Sequence, residues 1–251
     1  MADMVAFLSC QTLKIWIGNM IVRRRDYEKK APKRDAHKIY VVCEGSVSEP
    51  NYFNFFRGLS SNLEIIPIPS FEGKTDPIKL KEYAEAFLIG NERRYELDYR
   101  QGDTIYFVID TDTWEQEGKI QILRNFCDEQ NCAIKWAGQE RPMYKAWGVV
   151  QSNPCFEIWL YYHTYDQKPT DNIVNEFSSF KEFVSLSYAG GFDYESDPVR
   201  ISDAIKNSKH NFGNTSAKVG KYTTEMHMLA EEIYSFVKED IRRLRNKLIK
   251  A

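Results

Sequence analysis

Asp110 and Asp112, in the run Val108-Ile109-Asp110-Thr111-Asp112, have residue types and a spacing that suit metal chemistry. Carboxylates are hard oxygen ligands, and Mg²⁺ takes one or two of them while keeping several waters. Before them, Thr104-Ile105-Tyr106-Phe107 is β-branched and aromatic, which predicts a strand buried on both faces of a parallel sheet. Strand side chains repeat every second residue, so Asp110 and Asp112 are expected to face one way where that strand ends. A solvated turn would use the same residues, because Asp and Thr also favour loops and helix caps. A third carboxylate argues against the turn. Ile39-Tyr40-Val41-Val42-Cys43 reads as another strand, and Glu44-Gly45-Ser46 follows it as a sharp turn. Glu44, Asp110 and Asp112 thus gather three negative charges from two strand ends. Such a cluster needs a cation or proton to offset it, so it predicts a divalent metal, Mg²⁺ or Mn²⁺. Metal-assisted phosphodiester cleavage is the corresponding chemistry, with a carboxylate handling the proton.

A third strand end is expected at Trp147-Gly148-Val149-Val150-Gln151, followed by Ser152-Asn153-Pro154-Cys155-Phe156-Glu157. Asn153 as N-cap and Pro154 at the first position predict an apolar helix over Cys155–Tyr162. Glu157 falls in its first turn, where the macrodipole favours negative charge, and is either a dipole-stabilising carboxylate or a fourth metal ligand. His163 reads as a satisfied core histidine.

The remaining elements must position these groups. A helix is expected over Asn51–Leu59 with Ser48 as its N-cap, a second strand over Leu63–Ile68 with Pro67 placing it at an edge, and a long helix over Ile78–Arg94 capped by Thr75-Asp76-Pro77. Glu117–Gln130 reads as an amphipathic helix and Ala133-Ile134-Lys135-Trp136 as a further strand. Helices are then predicted over 172–186, 197–206 and 222–250. Strands alternating with helices imply right-handed βαβ units, an α/β fold with helices on both faces of a parallel sheet, and sites at the carboxyl ends of strands. The expected organisation is an extension and basic arm over 1–37, an α/β domain over 38–165 and a helical region over 166–251.

The formal net charge is only −2, yet the charge is unevenly spread: Arg23 to Lys38 carries eight basic residues against three acidic, and Lys238 to Lys250 six against two. An acidic middle between basic ends suits a metal site whose substrate is a polyanion. Arg23, Arg24 and Arg25 are candidate phosphate contacts on an exposed arm. Lys145, Lys209, His210, Lys218 and Lys221 are further candidates, each equally readable as a solvated surface residue. The five cysteines show neither C-x-x-C pairs nor zinc spacing, which predicts reduced, mostly buried thiols in a cytoplasmic protein. Met4–Val22 is interrupted by Gln11, Thr12, Lys14 and Asn19 and reads as a short amphipathic segment, so no membrane span is expected. Gly213 to Gly220-Lys221 has the outline of a P-loop, but the glycines are too far apart and Tyr222 replaces Ser or Thr.

Three stretches, Val42-Cys43-Glu44-Gly45 with Ser48-Glu49-Pro50-Asn51-Tyr52-Phe53, then Ile109-Asp110-Thr111-Asp112, then Ser152-Asn153-Pro154-Cys155-Phe156-Glu157-Ile158-Trp159, together resemble the RloB-like family. That family is similar to Toprim domains and occurs in bacterial restriction-linked and abortive-infection loci, often beside an ATPase. The resemblance implies a Toprim-like sheet, a Mg²⁺-dependent nuclease acting on RNA (tRNA among them) or DNA, and a partner ATPase of AAA or ABC type. It also implies roles: Glu44 as general acid/base, and Asp110 and Asp112 as metal ligands. Assembly into a homo-oligomer is left open. The alternative is a non-catalytic nucleic-acid- or phosphate-binding subunit of an ATPase complex. A phospho-acceptor domain fits less well, since it places an acidic pair after its first strand, where this chain has a single Glu44.

Overall fold

The computed structural model describes residues 29–70, 76–134, 145–212 and 219–249. Strands β1 (His37–Cys43), β2 (Leu63–Ile68), β3 (Thr104–Asp110), β4 (Trp147–Asn153) and the short β5 (Thr223–Thr224) form one sheet in the order β2-β1-β3-β4-β5. All pairs are parallel except β4 with β5. The fold is α/β, as the alternation of patterns predicts. β2 lies at the edge, where Pro67 leaves no central ladder bond unmade.

Alternation within each strand divides the core in two. Ile39, Val41, Cys43, Val108 and Val150 point to one face, while Tyr40, Val42, Ile105, Phe107, Ile109, Trp147 and Val149 point to the other. The first face is covered by helices α1 (Ser48–Asn54), α4 (Glu157–Tyr161), α7 (Ile201–Phe212) and α8 (Met226–Ile249), through Tyr52, Phe53, Trp159, Ile201, Leu229 and Ile233 among others. The second is covered by α2 (Pro77–Ala84) and α3 (Lys119–Ala133), through Leu80, Ala84, Ile120, Leu123 and Phe126. The C-terminal helices therefore share a core with the sheet. One polar lock reinforces it: the Glu232 carboxylate on α8 accepts from Thr104 Oγ1 at 2.7 Å, Tyr106 Oη at 2.7 Å and His37 Nε2 at 2.8 Å.

Several element boundaries differ from the pattern-based expectation, each for a local reason. Ser48 lies inside α1, with Val47 at the cap and no side-chain capping bond. Asp76 does cap α2, its Oδ1 accepting from Ile78 N at 2.7 Å. The helix then passes into a π-helical turn over Glu85–Ile89 and stops at Gly90, well short of Arg94. A Cβ at Gly90 would lie 2.5 Å from the Glu85 carbonyl oxygen, so only glycine closes the helix there. Ala133 ends α3 instead of starting a strand, while 135 and 136 lie outside the described residues. Asn153 caps no helix: β4 runs through it because Ser152 and Asn153 pair with Thr224 and Thr223, and the Asn153–Pro154 peptide is cis.

The helix expected over 172–186 is two, α5 (Asp171–Val174) and α6 (Phe180–Ser187), since Ser179 opens a new one by accepting from Glu182 N at 3.1 Å. A 3₁₀ turn at Asp197–Arg200 leads into α7, which extends past the expected end at residue 206. Thr223 and Thr224 are strand, so the last helix begins at Met226. Of the basic arm, the described part beginning at residue 29 is not helical and docks by backbone bonds from Lys30 N to Gly58 O and Lys33 N to Ser61 O. Cys43, Cys127 and Cys155 are buried free thiols and Cys132 an exposed one. Among the described residues, no helix is long and apolar enough to cross a membrane. The segment 4–22 lies outside them.

Candidate functional site

The strand order places the site. β1 connects outward to β2 on one side, and the chain then returns to place β3 on the other, so the sheet order reverses between β1 and β3. In open α/β sheets the crevice beyond the carboxyl ends at such a switch point is where ligands bind. Glu44 follows the last residue of β1, and Asp110 is the last residue of β3.

The two are brought into contact by the ladder itself. Glu44 N donates to Val108 O at 3.0 Å, and Glu44 Oε2 accepts from Asp110 N at 2.7 Å. Glu44 Oε1 accepts from Trp114 Nε1 at 3.0 Å. Burial pushes the Glu44 carboxyl up to about 7; the two hydrogen bonds oppose this, and the charges of Asp112 and Glu49 add to it. Asp110 is 9 % exposed, and its Oδ1 accepts from Phe156 N at 2.8 Å. Burial first, then the charges of Glu44, Glu49 and Glu157, hold it well above the usual carboxylate range.

Asp112 does not share Asp110's environment. The strand ends at Asp110, so the two-residue alternation stops there; Asp112 is exposed, with φ +32°, in the turn beyond. Glu157 opens α4, its side chain 13 % exposed and its Oε2 buried without a hydrogen-bond partner.

Three groups at the site carry no functional expectation from sequence. Glu49, 5 % exposed in the first turn of α1, accepts from Gly45 N at 3.0 Å through Oε1, and burial together with Glu157 raises its carboxyl. Gly45 leaves room for that carboxylate, since a Cβ there would stand 2.2 Å from Glu49 Oε2. Lys181 on α6 holds its Nζ 3.8 Å from Glu157 Oε2. Burial opposes its charge, but Glu157, Asp110 and Glu49 hold it above the ordinary lysine range. Trp114 anchors Glu44, and its ring is covered by Lys119 Nζ at 4.5 Å, which is itself held by Asp76 at 2.5 Å and Glu117 at 2.6 Å.

The expected phosphate contacts lie elsewhere. Lys145 is exposed and precedes β4, at the amino-terminal end of the sheet. Lys209 pairs with Glu231 at 2.7 Å, Lys221 pairs with Asp171, and His210 is exposed on α7. Arg23, Arg24, Arg25 and Lys218 lie outside the described residues. His163 is a core residue, its Nδ1 against Trp159 O at 3.0 Å and its Nε2 against Tyr52 Oη at 3.2 Å; burial lowers it to about 3, so it stays neutral.

Among the described residues no three His, Cys, Asp or Glu side chains stand in ready-made metal geometry. The donor set nonetheless fits a hard divalent cation. Of the four carboxylates Glu44, Glu49, Asp110 and Glu157, the first three are raised by mutual repulsion as well as burial, and Glu157 Oε2 has no hydrogen-bond donor. Each Glu44 oxygen also keeps a second lone pair beyond the N–H it accepts.

Comparison with known families fits the same frame. A family model described as RloB-like protein matches residues 39–233, most of the chain, from β1 into α8. The chain belongs to the RloB-like family. Neither a curated protein nor a solved structure matches it. The RloB-like match encloses every site group above: Glu44, Glu49, Asp110, Asp112, Trp114, Glu157 and Lys181.

The raised carboxyls make stability depend on pH with a definite sign. Glu44 has a folded pKa of about 7 against an ordinary 4.5, so the folded state binds its proton more tightly than the unfolded one. That contribution is fully present below pH 4.5 and is lost as pH rises through 7. Its full size is about 3 kcal/mol. His163, held neutral, acts in the opposite direction below its ordinary 6.5, so a difference measurement is needed. In EDTA, Glu44→Gln should gain stability relative to wild type as pH goes from 5 to 8, on the order of 2–3 kcal/mol in urea melts. A pH-independent difference would show that Glu44 is not held protonated.

Proposed function

We propose that the chain is a divalent-metal-dependent nuclease, cutting phosphodiester bonds of RNA, tRNA included, or DNA, and serving as the effector of a bacterial anti-phage abortive-infection system. The observation that carries this reading is the meeting of Glu44 and Asp110 at the β1/β3 switch point, within a buried acidic cluster. Asp110 and Asp112 are the residues to hold Mg²⁺ or Mn²⁺, with Glu44, Glu49 and Glu157 in reach as further carboxylates. A bound divalent ion would stabilise the charge that develops on the phosphodiester and favour ionisation of a water. Glu44, pushed up to about 7, can take or give a proton near neutral pH, as a general acid/base must. Its two N–H donors fix its orientation, so its oxygens need not reorganise when a substrate arrives. Lys181 brings a positive charge to a wall of carboxylates that would otherwise repel a phosphodiester.

Control by a partner ATPase, suggested by the family resemblance, and action in the cytoplasm, suggested by the free, mostly buried cysteines, are part of the same proposal. The alternative, a phosphate-binding subunit without catalysis, draws on the engagement of both Glu44 oxygens by N–H donors. Labelled tRNA, single-stranded RNA and duplex DNA, incubated with the chain alone and with the ATPase encoded beside it, decide between them. New ends should appear with Mg²⁺ or Mn²⁺ and vanish in EDTA, more strongly once the ATPase is triggered. Binding without cleavage in every combination would favour the non-catalytic subunit.

A further inference from the structure

Among the described residues, two that are not glycine have positive φ, Asp112 at +32° and Tyr222 at +59°. Both adjoin the carboxyl end of β4. Such backbone is disfavoured for residues with a Cβ, and it persists only where surrounding contacts over-determine it.

The contacts around Asp112 form a directed chain. Arg124 on α3 donates to Gln151 Oε1 at 3.0 Å and to Glu225 Oε2 at 2.6 Å. Glu225 in turn accepts from Gln151 N at 3.0 Å and donates its own N–H to Gln151 O at 2.9 Å. A guanidinium only donates, so the Gln151 amide is oriented with its oxygen toward Arg124 and its Nε2 away. That Nε2 donates to Thr111 Oγ1 at 2.9 Å and to Glu115 Oε2 at 3.3 Å. Thr111 Oγ1 donates to Ser152 O at 2.9 Å, and Thr111 N donates to Ser152 O at 2.9 Å and Pro154 O at 3.2 Å. Thr111, the residue between the two aspartates, is thereby fixed at its amide and at its hydroxyl. Gln151 is 2 % exposed, so these bonds are shielded from competing water.

We infer that Gln151, aimed by Arg124 and Glu225, is a positioning residue that holds Thr111 and so keeps Asp112 in its left-handed conformation, presenting the Asp112 carboxylate to a divalent cation. This rests on the metal-dependent reading above. Without the clamp, the turn relaxes toward ordinary backbone and Asp112 turns away from the Glu44–Asp110 pair. Gln151 bonds Thr111 and acts on Asp112 through the backbone, so the expected loss of metal affinity is at the lower end, roughly tenfold, of that for losing a direct outer partner of a ligand.

The test measures Mn²⁺ binding to the full chain by electron paramagnetic resonance, without substrate, in Thr111→Val, Thr111→Ser, Gln151→Leu and Asp112→Asn variants checked by circular dichroism. Thr111→Val and Gln151→Leu should weaken Mn²⁺ binding by roughly tenfold, and Thr111→Ser, which keeps the hydroxyl, should bind as wild type. If Gln151→Leu fails to fold, the Thr111 pair decides alone. Wild-type binding in Thr111→Val together with loss in Asp112→Asn overturns the clamp and leaves the metal site standing. Unchanged binding in Asp112→Asn, or no Mn²⁺ binding by wild type, overturns Asp112 as a ligand and the clamp with it.

Discussion

Asp110→Asn is expected to eliminate metal-dependent cleavage while leaving the metal-free protein at least as stable as wild type. The substitution preserves shape and the Oδ1 that accepts from Phe156 N at 2.8 Å. It removes a charge that burial and the neighbouring Glu44, Glu49 and Glu157 all disfavour. A hard anionic ligand disappears with that charge, so the rate should fall by at least about a hundredfold, the scale of losing one group that stabilises developing charge. In EDTA at pH 8 the repulsion among the remaining carboxylates is lower, and a gain of about 1 kcal/mol raises Tm by ~2–4 °C in a chain of this size. Melting curves with and without Mg²⁺, beside a cleavage assay, separate the two effects. A drop of several degrees in EDTA with cleavage intact would make Asp110 a structural residue.

Glu232→Ala should do the reverse, costing stability and leaving the chemistry of the folded fraction untouched. Glu232 sits at the amino-terminal end of the sheet, far along the strands from Glu44 and Asp110, and satisfies His37, Thr104 and Tyr106 together. Those three donors keep its carboxyl below the usual range even though burial pushes the other way. Alanine removes the shared acceptor of all three at once at a half-buried site, a loss on the order of 2–3 kcal/mol. The midpoint in urea should fall accordingly, while cleavage per folded molecule stays at the wild-type level. A variant as stable as wild type would mean that α8 is held to the sheet by its apolar face alone.

The sequence pattern shows the sheet and half of the site for an identifiable reason. Strands buried on both faces are compact apolar runs, and in a parallel sheet the residue following such a run lies at the site end whatever the helices do. Glu44 and Asp110 are placed by that rule alone. Asp112 escapes it, because alternation holds only while the strand continues and β3 ends two residues earlier. Glu49 is visible in sequence as part of a helix start, and its bond to Gly45 is local, but its placement among Glu157 and Lys181 is tertiary. Trp114 and Lys181 leave no local signal, since their partners Glu44 and Glu157 lie on other elements. The helix boundaries went astray where long-range contacts intervene, as with Thr223 and Thr224 pairing to the end of β4.

The sharing of one core by the sheet and the last helices bears on how such a protein is synthesised. Asp110 takes its anchoring N–H from Phe156, Gln151 is set by Glu225, and α8 closes the face over β1 and β3. These contacts join residues far apart in the chain, and such topologies form late, after the long loops have closed. A ribosome must therefore release almost the whole polypeptide before the carboxylate cluster can take its final shape. Under the nuclease function proposed above, the chain would stay inactive throughout its own translation, and a chain truncated ahead of α8 would be expected to fold poorly.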